Sequence, residues 1–495
     1  MRALGTATIL GIPLRRLLLL IAMCIVAINF GLRCRMLLQH RTDLGGVEHN
    51  VVHGIQKVML GQVLYDDPTE PPFDVIQYTP LYYAVCAGAG KLLGLEALDA
   101  RSIFLLNRTV ALFFNLVLLG LVYRLARVSG ASRWTAILAA CFSFATLWEQ
   151  AYGRMDALSG AAVVGSFLVF AQWLRTRKDG LLVLCAFVAV FAALAKQSGV
   201  IAMAIPLLYV FFHRQWRSFW ILGAALLFAT TIAVLFVAYF GRLTHAYQHL
   251  VGGLANGTSW MMWQDLFAPA TYKYFIGWHV LAVIIAALGF RSRDPHVRFL
   301  ALAVPVSLLF AMITGLKSGS RLNYLHESLT LTYIATAVLI AQAETARLRE
   351  PLTWAFALYG CLFAAFRTNS ALAWYRLGEP DAAYVAVLRT DMAVRDTLLN
   401  ELHLQPDEYI YITERDNLEH FFVGQSLLTQ KDIVRFSKQR LFDYSEFFDA
   451  MQNGTVRFVI TKSPVGPISM MDSTFTGWVP IRTVGDRTIL TRSEP

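Results

Sequence analysis

"YTPLYYAVCAGAGKLLG", Tyr78 to Gly94, decides how the rest of the chain is threaded. It has the apolar look of a membrane crossing, yet it is short, rich in glycine and interrupted by Lys91. A helix needs about 20 apolar residues to cross a hydrocarbon core about 30 Å thick. We read the stretch as an interfacial or partly inserted helix inside one long loop, residues 40–101. Counting it as a crossing would invert the sidedness of most loops that follow.

Outward from there the chain is greasy. Of 495 residues, 56% are hydrophobic and 15% charged, where a soluble domain carries roughly 25% charged residues. Spans are expected at about 17–38, 102–124, 134–149, 157–174, 181–195, 199–212, 218–240, 273–290, 299–316, 328–343 and 352–366. With the N-terminus cytoplasmic, the loops "YRLARVSGASR", "RTRKDG", "HRQWRS", "RSRDPHVR" and "ETARLRE" all fall on the cytoplasmic side. That is the distribution of the positive-inside rule, so the net charge of +10 reports topology and nucleic acid is excluded as a partner. The N-terminal run "LLLLIAMCIVAINF" lacks a small-residue cleavage site and is read as a retained first helix. Cys24, Cys34, Cys86, Cys141, Cys185 and Cys361 all precede the charged tail and show no CxxC spacing, so neither a disulfide framework nor a zinc site is indicated.

The expected fold is an α-helical polytopic membrane protein of about eleven transmembrane helices, with a long first outer loop and a small C-terminal α/β domain. Residues 1–366 make the membrane domain and 367–495 the extracytoplasmic one. In the tail, "EYIYIT", "VRFVIT" and the pair "VPIRT"/"RTILTR" across "VGD" read as strands, with helical patterns near 384–403 and 440–452. It carries no Gly-rich phosphate loop. The expected location is a bacterial inner or plasma membrane.

Costly polar residues collect on the outer side. After the first span come Asp43, Glu48, His49 and His53, then "LYDDP" with Asp66 and Asp67. "YGRMD" adds Arg154 and Asp156, "AKQSG" adds Lys196 and Gln197, and "LKSGSRLNYLHE" adds Lys317, Arg321, Asn323, Tyr324 and Glu327. Arg108 lies about two turns inside its span, where a charge is usually functional or paired. Taken singly, these are solvated loop acids and snorkelling cations. His49 and His53 stand at helical spacing but lack a third ligand within reach of the sequence. Taken together, four outer loops supply acids and bases that suit a reaction in which one group accepts a proton and others hold phosphate.

The order of these motifs resembles the C-type superfamily of integral-membrane glycosyltransferases: protein O-mannosyltransferases, lipid A aminoarabinose transferases and polyprenyl-phosphate-mannose-dependent mannosyltransferases. The resemblance rests on the acid after the first span, on "GQVLYDDPTEPPFDVIQYTPLYY", and on "RMDAL", "AKQSG" and "GSRLNYLHE", in order over about residues 15–345. It implies a sugar donor on a polyprenyl phosphate, used on the outer face with inversion at the anomeric carbon. Asp43 is then the candidate general base, because an acceptor hydroxyl is a poor nucleophile until a carboxylate takes its proton. Lys196, Arg321, Arg154, Arg108 and Lys317 are the candidate cations for the leaving phosphate. Asn323 and Tyr324 would orient the sugar, and Glu48, Asp156, Gln197 and Glu327 complete the candidate substrate-binding set. The acceptor is a glycan, lipid or protein, and membrane lipids surround the spans.

One departure stands out. Many relatives carry two adjacent acids after the first span, whereas Leu44 follows Asp43 and the next acid is Glu48. No cofactor is firmly implied; a divalent metal stays open, without a ligand set to support it. The "YDDP" acids rank lower, because Asp before Pro is common turn chemistry. The second reading, a transporter or flippase of lipid-linked or envelope substrates, predicts inverted repeats and charges at mid-membrane. The sequence shows no repeat, and its spans are nearly free of central charge.

Overall fold

Each apolar run read as a span becomes a helix. The computed structural model describes residues 8–9, 12–42, 44, 46–255, 257–267, 275–343, 346–376, 380–413, 417–427, 442–462 and 477–493. A short N-terminal hairpin, β1 (Thr8–Ile9) and β2 (Ile12–Pro13), leads into α1 (Leu14–Leu38). The long loop carries two 12-residue helices, α2 (Glu48–Met59) and α3 (Leu81–Leu92). There follow α4 (Ala100–Val128), α5 (Arg133–Thr146), α6 (Asp156–Thr176), α7 (Asp179–Ala195), α8 (Ile201–Phe212) and α9 (Trp216–Tyr239). Two short helices, α10 (Leu243–Tyr247) and α11 (Trp260–Phe267), precede α12 (Ile276–Gly289), α13 (Pro295–Thr314), α14 (His326–Gln342) and α15 (Ala346–Arg376).

Among the described residues, six helices are long and apolar enough to cross a membrane: Arg16–Leu38, Ala100–Val128, Asp156–Thr176, Trp216–Tyr239, Pro295–Thr314 and Leu322–Gln342. Asp179–Ala195, Gln197–Phe212 and Ile276–Gly289 are shorter apolar helices. The chain is an integral membrane protein. The stretch from Tyr78 to Gly94 contributes only α3, too short to cross by itself. Local chemistry sets the starts of several helices. Asp294 caps α13 by accepting from the His296 and Val297 amides, with Pro295 at the first helical position. Ser132 caps α5 through the Thr135 amide.

The chain divides into two compact units: Met1–Leu38, Arg108–Val234 and Thr258–Gly378 form one; Gln39–Asn107, Leu235–Gly257 and Glu379–Pro495 form the other. In the first, α6 packs on α7, α1 on α15, and α14 on α5 and α13. The core holds Phe142, Phe167, Phe170, Trp278, Phe299 and Tyr333. Trp278 meets Tyr333 edge to face at 4.5 Å between ring centroids, a geometry that adds to simple burial. Gly360 of α15 lies so close to Phe142 that a Cβ there would stand 2.1 Å from the ring. Small residues admit such approaches between membrane helices.

The second unit is organised by a sheet of β3 (Tyr409–Ile412), β4 (Val456–Thr461), β5 (Trp478–Val484) and β6 (Arg487–Arg492), in the order β3-β4-β6-β5. β3 and β4 run parallel and the other pairs antiparallel. Alternation decides its faces. Tyr411, Val459 and Leu490 join Phe73, Phe447 and Met451 in one cluster. Ile410, Ile412, Phe458, Ile460 and Ile489 join Val394, Leu398 and Leu418 in another. The helices α16 (Asp381–Asp396) and α17 (Ser445–Gln452) belong to the same unit. Strands and hairpin fall where the alternating runs of the tail placed them.

Candidate active site

Asp43 lies outside the described residues. The neighbouring acid, Glu48, begins α2 and is fully buried. Its Oε2 accepts the Leu44 amide at 2.9 Å, so Glu48 ties down the turn that follows Asp43. A carboxylate at a helix N-terminus also meets the positive end of the helix dipole.

α2 buries nearly every face, including Glu48, His49, Gln56 and Lys57. Buried polar groups need partners, and each of these has one. Lys57 Nζ donates to Asp66 Oδ2 at 2.6 Å and to Asp74 Oδ2 at 3.1 Å. His53 Nε2 donates to the same Asp74 oxygen at 2.7 Å. Burial works against the Lys57 charge, but Asp74 and Asp66 outweigh it and raise the ammonium above its ordinary value. The two carboxylates are pushed apart. Burial would raise both; for Asp74, His53 and Lys57 overcome it and hold the group well below the carboxylate range. For Asp66, burial prevails over Lys57, and the charge on Asp74 adds to the rise. His49 and His53, one helical turn apart, therefore face different partners and do not share a ligand.

Only one of the "YDDP" acids performs turn chemistry. Asp67 Oδ1 accepts from the Thr69 amide and hydroxyl at 3.0 and 2.7 Å. Asp66 is bound to Lys57, and both acids line a cleft of about 740 Å³ with Glu70, Arg242 and His245. His249 is fully buried. Its Nδ1 accepts the Ile76 amide at 2.9 Å and its Nε2 donates to the Asp66 carbonyl at 2.8 Å. Burial lowers this imidazole to about 4, so it stays neutral near pH 7.

In the other unit, three of the outer motifs converge. α7 stops at Ala195, Lys196 is extended, and a 3-10 turn (Gln197–Val200) leads into α8. The turn is tight: a Cβ on Gly199 would stand 2.2 Å from the Ala192 carbonyl oxygen. Lys196 Nζ reaches Asp156 Oδ1, on the first residue of α6, at 2.6 Å. Asn323 Nδ2, on the turn before α14, donates to the same oxygen at 3.1 Å. Lys196 also sits 5.4 Å from the centre of the Tyr324 ring, within cation–π range. Both members of the ion pair are about nine-tenths buried. The charge of Arg154, whose guanidinium lies 5.7 Å from the Tyr152 ring centre, also acts on Asp156. Glu327, half-buried on the first turn of α14, feels both Lys196 and Asp156. "RMD", "AKQ" and "NYLHE" thus form one charged cluster with two cations, Arg154 and Lys196, and two acids, Asp156 and Glu327.

Of the other predicted residues, Gln197 and Lys317 are half-buried and Arg321 is exposed. Arg108 is fully buried in α4.

A second polar group went unread in the sequence. Glu149 Oε1 pairs with Arg367 Nη2 of α15, and Glu149 Oε2 lies 4.0 Å from His326 Nε2. Arg33 of α1 donates through Nε to Asn29 Oδ1 at 2.8 Å and lies over the Phe144 ring. Arg33 is a charge inside an apolar run, the signal that singled out Arg108, whereas Arg367 follows the run at 352–366 directly.

No family model matches the sequence, and no curated protein matches it either. Solved structures do match in fold. ArnT from Cupriavidus metallidurans in the apo state is 14% identical, with a TM-score of 0.60 over 96% of this chain and 98% of that one. The same ArnT bound to undecaprenyl phosphate is 13% identical, with a TM-score of 0.57 over the same 96% and 98%. The archaeal oligosaccharyltransferase AglB from Archaeoglobus fulgidus, in complex with an inhibitory peptide and a dolichol-phosphate, is 13% identical, with a TM-score of 0.56 over 89% of this chain and 69% of that one. What these likenesses show is a shared fold.

Proposed function

We propose that this C-type fold carries the reaction of its class: transfer of a sugar from a polyprenyl-phosphate donor to an acceptor hydroxyl, on the outer face of the membrane, with inversion. The observation that supports it most is the likeness over nearly the whole chain to a structure that holds undecaprenyl phosphate. The cluster around the Lys196–Asp156 pair supplies two cations, Lys196 and Arg154, for such a donor. As the glycosidic bond breaks, negative charge gathers on the lipid phosphate. Lys196, buried, and Arg154, half-buried, are already in place and would stabilise that charge more than the same groups in bulk solvent. Asn323 and Tyr324 present a donor and a ring face beside them, groups suited to holding a sugar. Lys317, Arg321 and Arg108 remain candidates for the leaving phosphate, Gln197 and Glu327 for the rest of the substrate.

The base in this reading is Asp43. Its carboxylate takes the acceptor proton as the new glycosidic bond forms, and the polyprenyl phosphate leaves on the opposite face of the sugar ring. Glu48 serves as a positioning residue, fixing the turn after Asp43 through the Leu44 amide. The C-terminal unit is extracytoplasmic, as the loop charges imply.

The test is sugar transfer from a lipid-linked donor in membranes. Asp43→Asn is expected to abolish transfer while insertion and expression persist, and Lys196→Met to reduce it by about 100-fold, the scale of losing one charge-stabilising group. Near-full activity in Asp43→Asn would remove that residue as the base. Equal activity in both variants and wild type would sink the glycosyltransferase reading of these clusters.

A further inference from the structure

The histidine of α2 that the reading above leaves unused is not alone. His49 Nδ1 lies 2.8 Å from His420 Nε2 and 3.2 Å from Glu419 Oε1, and His420 Nε2 lies 3.7 Å from the same carboxylate oxygen. Glu419 and His420 sit on the 3-10 turn Asn417–Phe421. His420 is 0% exposed and His49 4%. The Phe104 ring stands edge-on to both imidazoles, at 5.6 and 5.1 Å between centroids.

The tautomer of His420 follows from Gln56. Gln56 Nε2 donates to the carbonyls of Ala97 and His420 at 2.8 and 2.9 Å. That leaves Gln56 Oε1 as the acceptor for His420 Nδ1, at 2.8 Å. The proton is therefore on Nδ1, and the Nε2 lone pair faces His49 and Glu419. An outer amide that fixes one ring nitrogen, so that the other can bind, is the usual support of a metal-bound histidine.

We propose that His49 Nδ1, His420 Nε2 and Glu419 Oε1 bind a divalent transition metal of the Zn²⁺ class, and that the ion fastens α2 to the 417–421 turn. A tetrahedral ion with bonds of about 2.0–2.1 Å holds its donors roughly 3.3 Å apart. The three separations, 2.8, 3.2 and 3.7 Å, bracket that value. Two imidazoles and one carboxylate suit zinc, whereas magnesium and calcium require mostly oxygen donors. A fourth position is left for water. The competing arrangement is an N–H···N bond, with His49 Nδ1 donating to His420 Nε2. The two states differ in the tautomer of His49: to bind the ion through Nδ1, the neutral ring carries its proton on Nε2 instead.

The experiment uses the full chain in detergent, stripped with a chelator and titrated with Co²⁺ and then Zn²⁺. The expected result is one equivalent of Co²⁺ with the intense d–d absorption of a four-coordinate site, displaced by Zn²⁺. Gln56→Leu should weaken the affinity by about 10- to 100-fold, as loss of an outer partner does. His49→Asn should remove the four-coordinate spectrum. Because the wild-type spectrum is itself a readout, a variant that fails to fold does not blunt the test. No stoichiometric uptake, a six-coordinate spectrum, or uptake unchanged in folded His49→Asn would each overturn the proposal in favour of the hydrogen bond.

Discussion

A single imidazole shows how burial chooses a protonation state. His249 must be neutral, because its Nδ1 lone pair receives the Ile76 amide while Nε2–H is spent on the Asp66 carbonyl. Burial is the largest influence lowering it to about 4; the charges of Lys57 and His245 push the same way, and the Asp66 carbonyl and Asp74 oppose. The unfolded chain takes up that proton near 6.5, so between about 6.5 and 4 the unfolded state binds more protons and stability falls with pH. At about 1.4 kcal/mol per unit the full loss is about 3 kcal/mol. Asp74, depressed by His53 and Lys57 against burial, adds its own loss only below the ordinary carboxylate range. Asp66, raised by burial, works in the opposite direction and trims the slope. Thermal unfolding between pH 7 and 5 checks this. Wild type should lose stability across that range and His249→Gln, which keeps an acceptor but cannot titrate, should lose much less; parallel curves would refute it. None of this was legible in the sequence, where "THAYQHL" offers two histidines and no sign of which one is enclosed.

Among the elements, the turns proved more readable than the helices' neighbours. "AKQSG" announced a sharp connection between two apolar runs, and the structure supplies the reason that Gly is there: Gly199 lies against the Ala192 carbonyl. Backbone cannot yield as a side chain can, so Gly199→Ala should shift the turn and carry Lys196 away from Asp156. We expect transfer to fall with that variant about as far as with Lys196→Met, with the protein still inserted; full activity would show that the pair tolerates the displacement. Strands were legible because alternation reports two buried faces, as Tyr411 against Ile410 and Ile412 shows. The partners of α2 were not. Periodicity tells which residues share a helix face, but not that Gln56 will meet Ala97 and His420, or His49 meet Glu419. The partners of His49 are remote from it only along the chain.

At the scale of the whole molecule, charge outside the apolar runs carried the most information. The loops that hold Arg124, Arg175, Arg214 and Arg291 are basic, and the acids gather in the alternate loops. That sidedness predicts that a single cysteine placed in the 175–180 loop is labelled by a membrane-impermeant reagent only after the membrane is opened. Labelling of intact cells would reverse the proposed orientation and move the Asp43 chemistry to the cytoplasm. Fold class, order of spans and the C-terminal sheet were within reach because they rest on composition and period, which are local. The grouping of Gln39–Asn107 and Leu235–Gly257 with the tail was not, since it depends on contacts among segments far apart in the chain.

Those distant contacts also set a clock. His49 and His420 are separated by 371 residues. At about 5–20 residues per second, a ribosome needs about 20 to 70 seconds to travel from one to the other. Throughout that interval the helix beside the Asp43 loop has no Glu419, no His420 and no place to bury His49. A half-made chain is therefore already threaded through its first spans while that helix is unfinished, and the tail must emerge before the helix can settle.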